Sequence, residues 1–545
     1  MTSLVPRPPY SDDELRQLYP AGLELQLVQV LMRHGERTPV SPRFQNAGLH
    51  AFWPYCAAVK QLTAAVLADD KDPGVVGDGK GNGGGEAATK PLKTLAWRRR
   101  LETFGPDDAA VLATGRHGDL DAICDMGMLT DPGRVSTLRL GQRLRRLYVD
   151  RLQFLPQALG PGDADRLLYL RTTPIPRALE SLQQAFLGLY PAAEASSPAA
   201  ASTAASRAPV TIVSRAPPDE TLFPNDGNCR RFAALSRAFA QRAAERWNDS
   251  DELAYVTKKI GPWLPPDRPR AAVDGKPRLS GVMDTINATL AHGPATRLPA
   301  PFYDARSRHI IEQVALEEWF AGYQESEEYR ALGIGGLMGD LTARMVAQAE
   351  QQAATATATA TATVGHEPNP NRFRFGLSGC HDTTLAAVLT SLGHKLPNWP
   401  PFTSHLAVEL FHKQPPVAAS ATAATTTTTA PVSSSSSWTS FLPSIFGRSA
   451  ATTASGIGRK PTPELTEGEK KKLAGYYVRI RYNDEIVTVP GCRPPGKHLE
   501  GDESFCTLEA FKAIVDKYTP RNWEQACRSN INAPAFPDQP QPSGF

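Results

Sequence analysis

Five consecutive residues, Arg33, His34, Gly35, Glu36 and Arg37, gather two guanidiniums about one imidazole, and Thr38-Pro39 closes the run. An arginine fork matches the oxygens of an anion such as phosphate, and an imidazole held between two forks can attack it as a nucleophile. Glycine after the histidine lets the backbone pass close to a ligand, and the Thr-Pro step ends the preceding element. The chain carries its own comparison. Arg116-His117-Gly118 repeats the first three residue types, but Leu120 stands where the second arginine would be and no apolar run leads into it, so that copy reads as a surface loop.

Two more clusters can join the first. In LLYLRTTPIPRALESLQQAFLGLYP, a short strand from Leu167 to Leu170 is broken by Pro174 and Pro176, and Leu179, Leu182, Phe186 and Leu189 follow at helical spacing. Arg171 therefore leaves a strand, while Arg177 enters a helix near its N-terminus, an end that attracts anions. Either could serve the same site, and a salt bridge to a nearby carboxylate is an equal alternative for each. In NRFRFGLSGCHDTTLAAVLTSLG, Phe373, Phe375 and Leu377 alternate as a strand, Ser378 to His381 form the turn, and Leu385, Val388, Leu389 and Leu392 make a helical stripe ended by Gly393. His381 and Asp382 thus fall at a strand-to-helix junction, where ligands gather in open α/β sheets. By itself the pair reads as a helix cap with an exposed neighbour. With the other two clusters it completes a set of nucleophile, cationic oxygen ligands and carboxyl proton donor, which is what phosphoryl transfer without a metal requires.

The elements that must position these residues can be read in order. Leu23, Leu25 and Leu27 alternate before Val28, Val30 and Met32 thicken the run, as in a strand buried on both faces. Leu49 to Leu67 has helical spacing, with Cys56 as core filler. Residues 72–87 form a glycine-rich insertion that lacks the strand and helix a phosphate loop needs. From Leu129 a capped helix is expected, with Val135, Leu138, Leu144, Leu147 and Tyr148 as its apolar stripe and Arg139, Arg143 and Arg146 facing water. Beyond an Ala/Ser tract at 192–209 and a strand and loop at TIVSRAPPDETLFPN, three helices follow. They carry Phe232, Leu235, Phe239 and Trp247; Val282, Ile286 and Leu290; and Ile310, Val314, Leu316 and Phe320. They predict a helical domain inserted between two halves of an α/β core, placed to roof the cleft. The ATATATATATV run at 354–364 reads as a linker.

The expected fold is therefore α/β: a three-layer core with a mixed, mostly parallel sheet flanked by helices, plus an inserted, mainly helical domain. Its parts are 1–191 (core, first half), 192–364 (insert), 365–412 (core, second half), 413–465 (low complexity) and 466–545 (hairpin and C-terminal helix).

Composition narrows the function. Of 545 residues, 59 are basic and 56 acidic, a net charge of +3, which gives no overall bias toward nucleic acid or an anionic membrane. No apolar run reaches membrane-spanning length. The first 22 residues lack the apolar core of a secretory signal, and their prolines with Asp12, Asp13 and Glu14 argue against a basic transit peptide. Seven cysteines without close paired spacing read as reduced thiols. An intracellular, cytoplasmic protein is the simplest expectation, with a mitochondrial address left open. The acceptor-like Asn248 and Asn287 are then chance matches, and Cys380 is a small buried residue. At 433–450, Trp438, Phe441, Leu442, Ile445 and Phe446 have helix-like spacing. That segment is the candidate for contact with a protein or a membrane surface, with docking on its own core as the plainer alternative, and a single Arg448 is too little for the usual basic membrane signature.

The sequence resembles the histidine acid phosphatase branch of the histidine phosphatase superfamily. Residues 33–39 match that family's Arg-His-Gly-x-Arg-x-Pro motif and His381-Asp382 its His-Asp motif. Leu129-Thr130, Gly133, Leu140-Gly141, Leu144-Arg145 and Tyr148 follow the helix after the first motif, and Arg171 to Arg177 reproduces the next arginine pair. A strand ending at Glu409 and a late hairpin at 476–492 also correspond. The resemblance implies a phosphoglycerate mutase-like fold and no cofactor or metal. It makes His34 the phosphate-accepting nucleophile, sets Arg33, Arg37, Arg177 and His381 on the phosphoryl oxygens, and gives Asp382 the role of proton donor, with Arg171 structural. Three guanidiniums should keep His34 unprotonated, and the same arginines favour ionised Asp382, which an arriving phosphate must offset. ETLFPN, the long helical insert and the missing signal resemble the intracellular lysophosphatidic acid phosphatase group, so the implied substrate is a small phosphomonoester, a lysophospholipid among them. The alternatives are a phosphoglycerate-mutase-like phosphotransferase and a non-catalytic phosphoester-binding scaffold.

Overall fold

Strand β1 (Leu23–Arg33) is buried on both faces, and its alternation divides the core. Leu27 and Leu31 enter one cluster with Leu385, Leu389 and Phe511, while Val28, Val30 and Met32 enter another with Leu140, Leu144 and Tyr148. The structure is a computed structural model that describes residues 7–67, 92–191, 209–357, 373–414 and 456–545. The remaining strands of the main sheet are β2 (Leu168–Thr172), β3 (Ile212–Val213), β4 (Phe375–Cys380), β5 (His405–Lys413), β6 (Tyr476–Tyr482), β7 (Glu485–Val487), β8 (His498–Leu499) and β9 (Asp502–Thr507). They pair in the order β8-β9-β6-β5-β1-β4-β2-β3, with β7 added to β6.

The α/β class is as expected, and the sheet is mixed. Its balance differs from the expectation of a mostly parallel sheet. β1, β4, β2 and β3 run parallel, but β5, β6, β7, β9 and β8 join through antiparallel pairings. Antiparallel neighbours need only short connections, which the late hairpin supplies.

Seven helices matter for the site: α1 (Asp131–Arg145), α2 (Pro176–Leu189), α3 (Arg230–Trp247), α4 (Leu279–Ala291), α5 (Ala305–Glu325), α6 (Gly336–Thr357) and α7 (Asp382–Ser391). The pair α1 and α2 covers one face of the sheet. On the other face α6 and α7 pack into the core that continues into the helical insert of α3, α4 and α5. Gly393, at φ +82°, follows the end of α7 as expected.

Several local readings need correction. The stretch from Leu49 to Leu67 is not a helix. It holds one short 3-10 turn, Ala57–Lys60, and then a strand, Leu62–Leu67, paired with Leu92–Trp97, because β-branched and turn residues outweigh its apolar spacing. On α1 the buried face is Gly133, Ser136, Thr137, Leu140, Gly141 and Leu144; Val135 is exposed, and Arg143 bonds Asp484 through Nε at 2.9 Å instead of facing water. Helix α6 runs on to Thr357, into the expected linker, whose remainder lies outside the described residues. So do the insertion at 72–87, most of the Ala/Ser tract at 192–209, and the candidate partner segment at 433–450. Arg116 and His117 are exposed on a turn, as the comparison loop should be.

The cysteine reading is overturned most clearly. Cys56 bonds Cys124, Cys229 bonds Cys527, and Cys492 bonds Cys506. Partners 68 and 298 residues apart leave no spacing signature in sequence. Cys56 is therefore half of a cross-link, and the thiol argument for an intracellular protein falls away. Cys380 stays free and buried, and burial pushes its thiol up to about 12. No helix among the described residues is long and apolar enough to cross a membrane.

Candidate active site

The strand register alone brings the three clusters together. Arg33 is the partner of Cys380, and Thr172 of Gly379, so β1, β4 and β2 end side by side. The ladder continues one residue further: His34 N donates to Cys380 O at 3.0 Å and Thr173 N to Gly379 O at 3.2 Å. His34, Thr173 and His381 therefore stand together at the carboxyl edge, and the His34 and His381 rings meet edge to face at 5.5 Å. Gly35 is required here by space: a Cβ would lie 2.3 Å from the Gly133 carbonyl oxygen, because the loop folds onto the first turn of α1. Glu36 is fully buried there and accepts from Ser136 Oγ, which also meets Thr403 Oγ1 at 2.7 Å.

His34 is 2% exposed. Its Nδ1 lies 2.9 Å from the Gly35 carbonyl, which can only accept, so Nδ1 carries the hydrogen and Nε2 keeps its lone pair. Burial, followed by Arg177, Arg33 and Arg37, holds the imidazole well below its ordinary range. It is thus a neutral nitrogen base surrounded by cations.

The arginines are held with donors to spare. Arg33 gives Nη1 to the Pro400 carbonyl and Nη2 to Asp382 Oδ2 at 2.7 Å, and its guanidinium stacks 4.1 Å over the Phe402 ring. Arg37 gives Nη1 to its neighbour Thr38 O at 3.0 Å and Nη2 to Asp284 Oδ1 at 2.7 Å. Arg177 enters the site from the first turn of α2, beside Gly127, and burial, then Arg37, lowers it to about 10, so it stays charged at neutral pH. The Nε atoms of all three are buried without a hydrogen-bond partner among the described residues. Such orphaned donors fit an anion with several oxygens.

His381 caps α7 and Asp382 is its first residue. His381 Nε2 lies 3.1 Å from Thr173 Oγ1, and burial, then Arg177, lowers its imidazole. Burial alone would raise the Asp382 carboxyl, but Arg33, the Trp399 indole N–H at 2.9 Å and Arg37 outweigh it and hold the carboxyl below the usual range. The carboxylate is therefore ionised before any anion binds.

All six residues singled out in the sequence meet at this edge. Arg171 does not join them. It is fully buried, bonded to Glu220 Oε1 at 2.6 Å and Thr221 Oγ1 at 3.1 Å, on the far side of the strand end. Four neighbours were missed. Trp399 and Phe402 sit in the loop before β5, where the Pro400-Pro401 turn marks the position but nothing marks the contacts. Asp284 and Arg43 lie 3.7 Å apart, Arg43 being packed against Gly281 of the helix that carries Asp284. Asp284 lies on α4, as does His292 at its end. His292 Nδ1 faces the Ala288 carbonyl at 2.7 Å, so its Nε2 accepts from Thr130 Oγ1 at 2.7 Å, and Thr130 N donates to Glu36 O at 3.0 Å. Burial lowers His292 to about 4. One helix of the insert thus braces the 33–40 loop at two points.

The cleft in front of the site has a volume of about 450 Å³. Arg278, Trp319 and Thr383 also line an adjoining slot of about 210 Å³, walled by Phe232, Ala240, Phe320 and Tyr329 between α3 and α5. A larger groove of about 680 Å³, at Arg242, Arg246 and Lys395, touches none of the six residues. No group of three or more His, Cys, Asp or Glu side chains among the described residues could hold a metal ion.

Comparison with known proteins shows which family the chain resembles. Residues 24–429 match the sequence model of the histidine phosphatase superfamily (branch 2). A probable acid phosphatase of Schizosaccharomyces pombe is 32% identical over 511 residues, covering 94% of this chain and 95% of that protein. Lysophosphatidic acid phosphatase type 6 of Homo sapiens is 24% identical over 393 residues, covering 71% and 74%. Among solved structures, Hafnia alvei phytase in complex with tartrate aligns over 93% of this chain and 99% of its own, with 12% identity and a TM-score of 0.46.

Proposed function

This chain belongs to the histidine phosphatase superfamily (branch 2) and is an acid phosphatase, and from that premise we propose that it hydrolyses phosphomonoesters through a phosphohistidine at His34. The observation that carries the reading is a buried, neutral His34 with a free Nε2 among three guanidiniums whose Nε–H groups are unpaired. Arg33, Arg37, Arg177 and His381 hold the phosphoryl oxygens. Nε2 attacks phosphorus, the ester P–O bond breaks, and Asp382 gives its proton to the leaving alkoxide. Asp382 then takes a proton from water as that oxygen attacks phosphorus, the P–N bond breaks, and inorganic phosphate leaves.

Because Asp382 is ionised beforehand, the proton it donates arrives on the substrate monoanion. Phosphomonoesters lose that proton at about pH 6, so the reaction belongs to the acid side of neutrality.

We further propose a lysophospholipid such as lysophosphatidate as substrate. The apolar slot beside the cleft supports it, as does the similarity to proteins named lysophosphatidic acid phosphatase type 6. Three experiments test the pair of proposals. Incubation with ³²P-labelled ester and an alkaline quench should leave acid-labile label on wild type and none on His34→Ala; label on another residue, or none on wild type, overturns the phosphohistidine. Release of free phosphate, with no transfer to added alcohol, separates hydrolysis from phosphotransfer. A kcat/KM for lysophosphatidate no higher than for glycerol phosphate overturns the lipid.

A further inference from the structure

Asp284 is the acidic residue that helix α4 sends into the cleft, and its two oxygens are both engaged. Oδ1 accepts from Arg37 Nη2 at 2.7 Å; Oδ2 accepts from Val40 N at 3.1 Å and lies 3.7 Å from Arg43 Nη1. It is mostly buried, at 15% side-chain exposure. The Arg43 Nη1 atom is buried and has no hydrogen-bond partner among the described residues. The carboxylate thus stands between an arginine assigned to the transferred phosphoryl group and an arginine further out along the same cleft. Lys276 and Arg278 line the cleft beyond them, and Arg278 is already paired with Glu318.

Without Asp284, Arg37, Arg43 and Lys276 would make a run of cations leading out from the phosphoryl site, a surface suited to a substrate with a second anionic group. With it, the charge of Arg37 and Arg43 is partly neutralised, and a second phosphate would meet a carboxylate held close to both guanidiniums. A like charge placed against a wrong ligand is one way a site rejects it, beside the contacts that favour the right one.

Resting on the phosphatase reading above, we propose that Asp284 is a specificity-determining residue that restricts the cleft to esters with one phosphate and rejects polyphosphorylated ones. The same side chain positions Arg37, and the two roles separate in the readout. Loss of positioning alone lowers kcat/KM for every ester together. Loss of charge rejection changes the ratio between substrates.

The test compares p-nitrophenyl phosphate with myo-inositol hexakisphosphate as the probe, in wild type, Asp284→Asn and Asp284→Glu. Asn keeps an oxygen for Val40 N and removes the charge; Glu restores the charge. The kcat/KM ratio of hexakisphosphate to nitrophenyl ester should rise about tenfold or more in Asp284→Asn, equivalent to about 1.4 kcal/mol, mainly through a lower KM, and return toward wild type in Asp284→Glu. In the double variant Asp284→Asn/Arg43→Gln the rise should largely disappear. A ratio that is unchanged or lower in Asp284→Asn overturns the proposal and leaves Asp284 a positioning residue only. Should Asp284→Asn fail to fold, Asp284→Ser takes its place, with a rise in the ratio expected and an unchanged or lower ratio overturning the proposal. A wild type inactive on both esters would instead sink the phosphatase reading itself.

Discussion

Arg33 Nη2 lies 2.7 Å from Asp382 Oδ2, so the residue assigned to grip a phosphoryl oxygen and the residue assigned to supply a proton are paired with each other. An incoming phosphate competes for that guanidinium, and as Arg33 turns to it the carboxylate can take up a proton. Two consequences follow for kinetics. Asp382→Asn should slow alkyl phosphates by about 10²–10⁴-fold, with a far smaller loss on nitrophenyl phosphate, whose leaving group needs no proton. In wild type, kcat/KM should decline with unit slope above about pH 6. The acid limb should not fall at the ordinary imidazole range, since His34 stays neutral well below it. Equal losses on both esters would remove Asp382 from the acid role.

Arg171 and Arg177 provide a contrast within six residues of chain. Arg177→Ala removes a donor from the site and should cost about 10²-fold in kcat/KM with a melting temperature near wild type. Arg171→Met leaves the buried Glu220 carboxylate without its cation, held only by the Thr221 and Leu222 N–H groups, and should cost about 3–5 kcal/mol of stability, with kcat of the folded fraction retained. Thermal melts and kinetics on the same preparations check both, and the reverse pattern would exchange the two assignments.

Glu409 makes stability depend on acid. It is fully buried, bonded to Arg479, Arg481, Tyr19 and Tyr148. Burial by itself would raise its carboxyl, but Arg481 and Arg479 outweigh that and hold it at about 2. A depressed native pKa stabilises the fold above the unfolded value of about 4.3, and that contribution, on the order of 3 kcal/mol, is lost as pH falls toward 2. Denaturant midpoints measured from pH 6 to pH 2.5 should decline over that window, and Glu409→Gln should start lower and decline less. Parallel curves would assign the acid sensitivity to other groups.

The three disulfides predict a labelling pattern. Alkylation of unreduced, denatured protein should modify Cys380 alone among seven cysteines, and prior reduction should expose all of them. Replacing Cys229 and Cys527 with serine should cost about 2–5 kcal/mol. Modification at Cys229 without reduction would remove that bond.

What could be read in sequence was whatever one short segment carried whole. Strand β1 with its Arg-His-Gly-x-Arg ending, and the two later strand-to-helix units, contain both their hydrophobic period and their polar termini, so the sheet edge was legible, while the choice of Arg177 over Arg171 came from the family motif and not from the local pattern. Asp284 was not legible, because a single aspartate on a helix of an inserted domain looks like any solvent-facing residue until the fold sets it against Arg37. Trp399 reads as a core aromatic for the same reason. The helix expected at 49–67 failed because spacing of Ala and Val cannot tell a helix from a strand that pairs with a segment some thirty residues away. For two of the three cysteine pairs the reading failed because the partners are 68 and 298 residues apart; Cys492 and Cys506, 14 residues apart, meet only once the late strands pair.

The segment from Trp523 to Gln541 has a further consequence. Expected to belong with the core, it lies on the helical insert: Cys527 bonds Cys229, Arg231 donates to the carbonyls of Ala533 and Pro534, and Gln541 N donates to Glu325 O. The insert begins to be synthesised about 300 residues before the chain that closes it. During translation α3 must therefore wait, its partner surface uncovered, until nearly the whole of this sequence has left the ribosome. The domain that roofs the cleft is in that sense closed long after it is read, by chain that follows it at a distance of 298 residues.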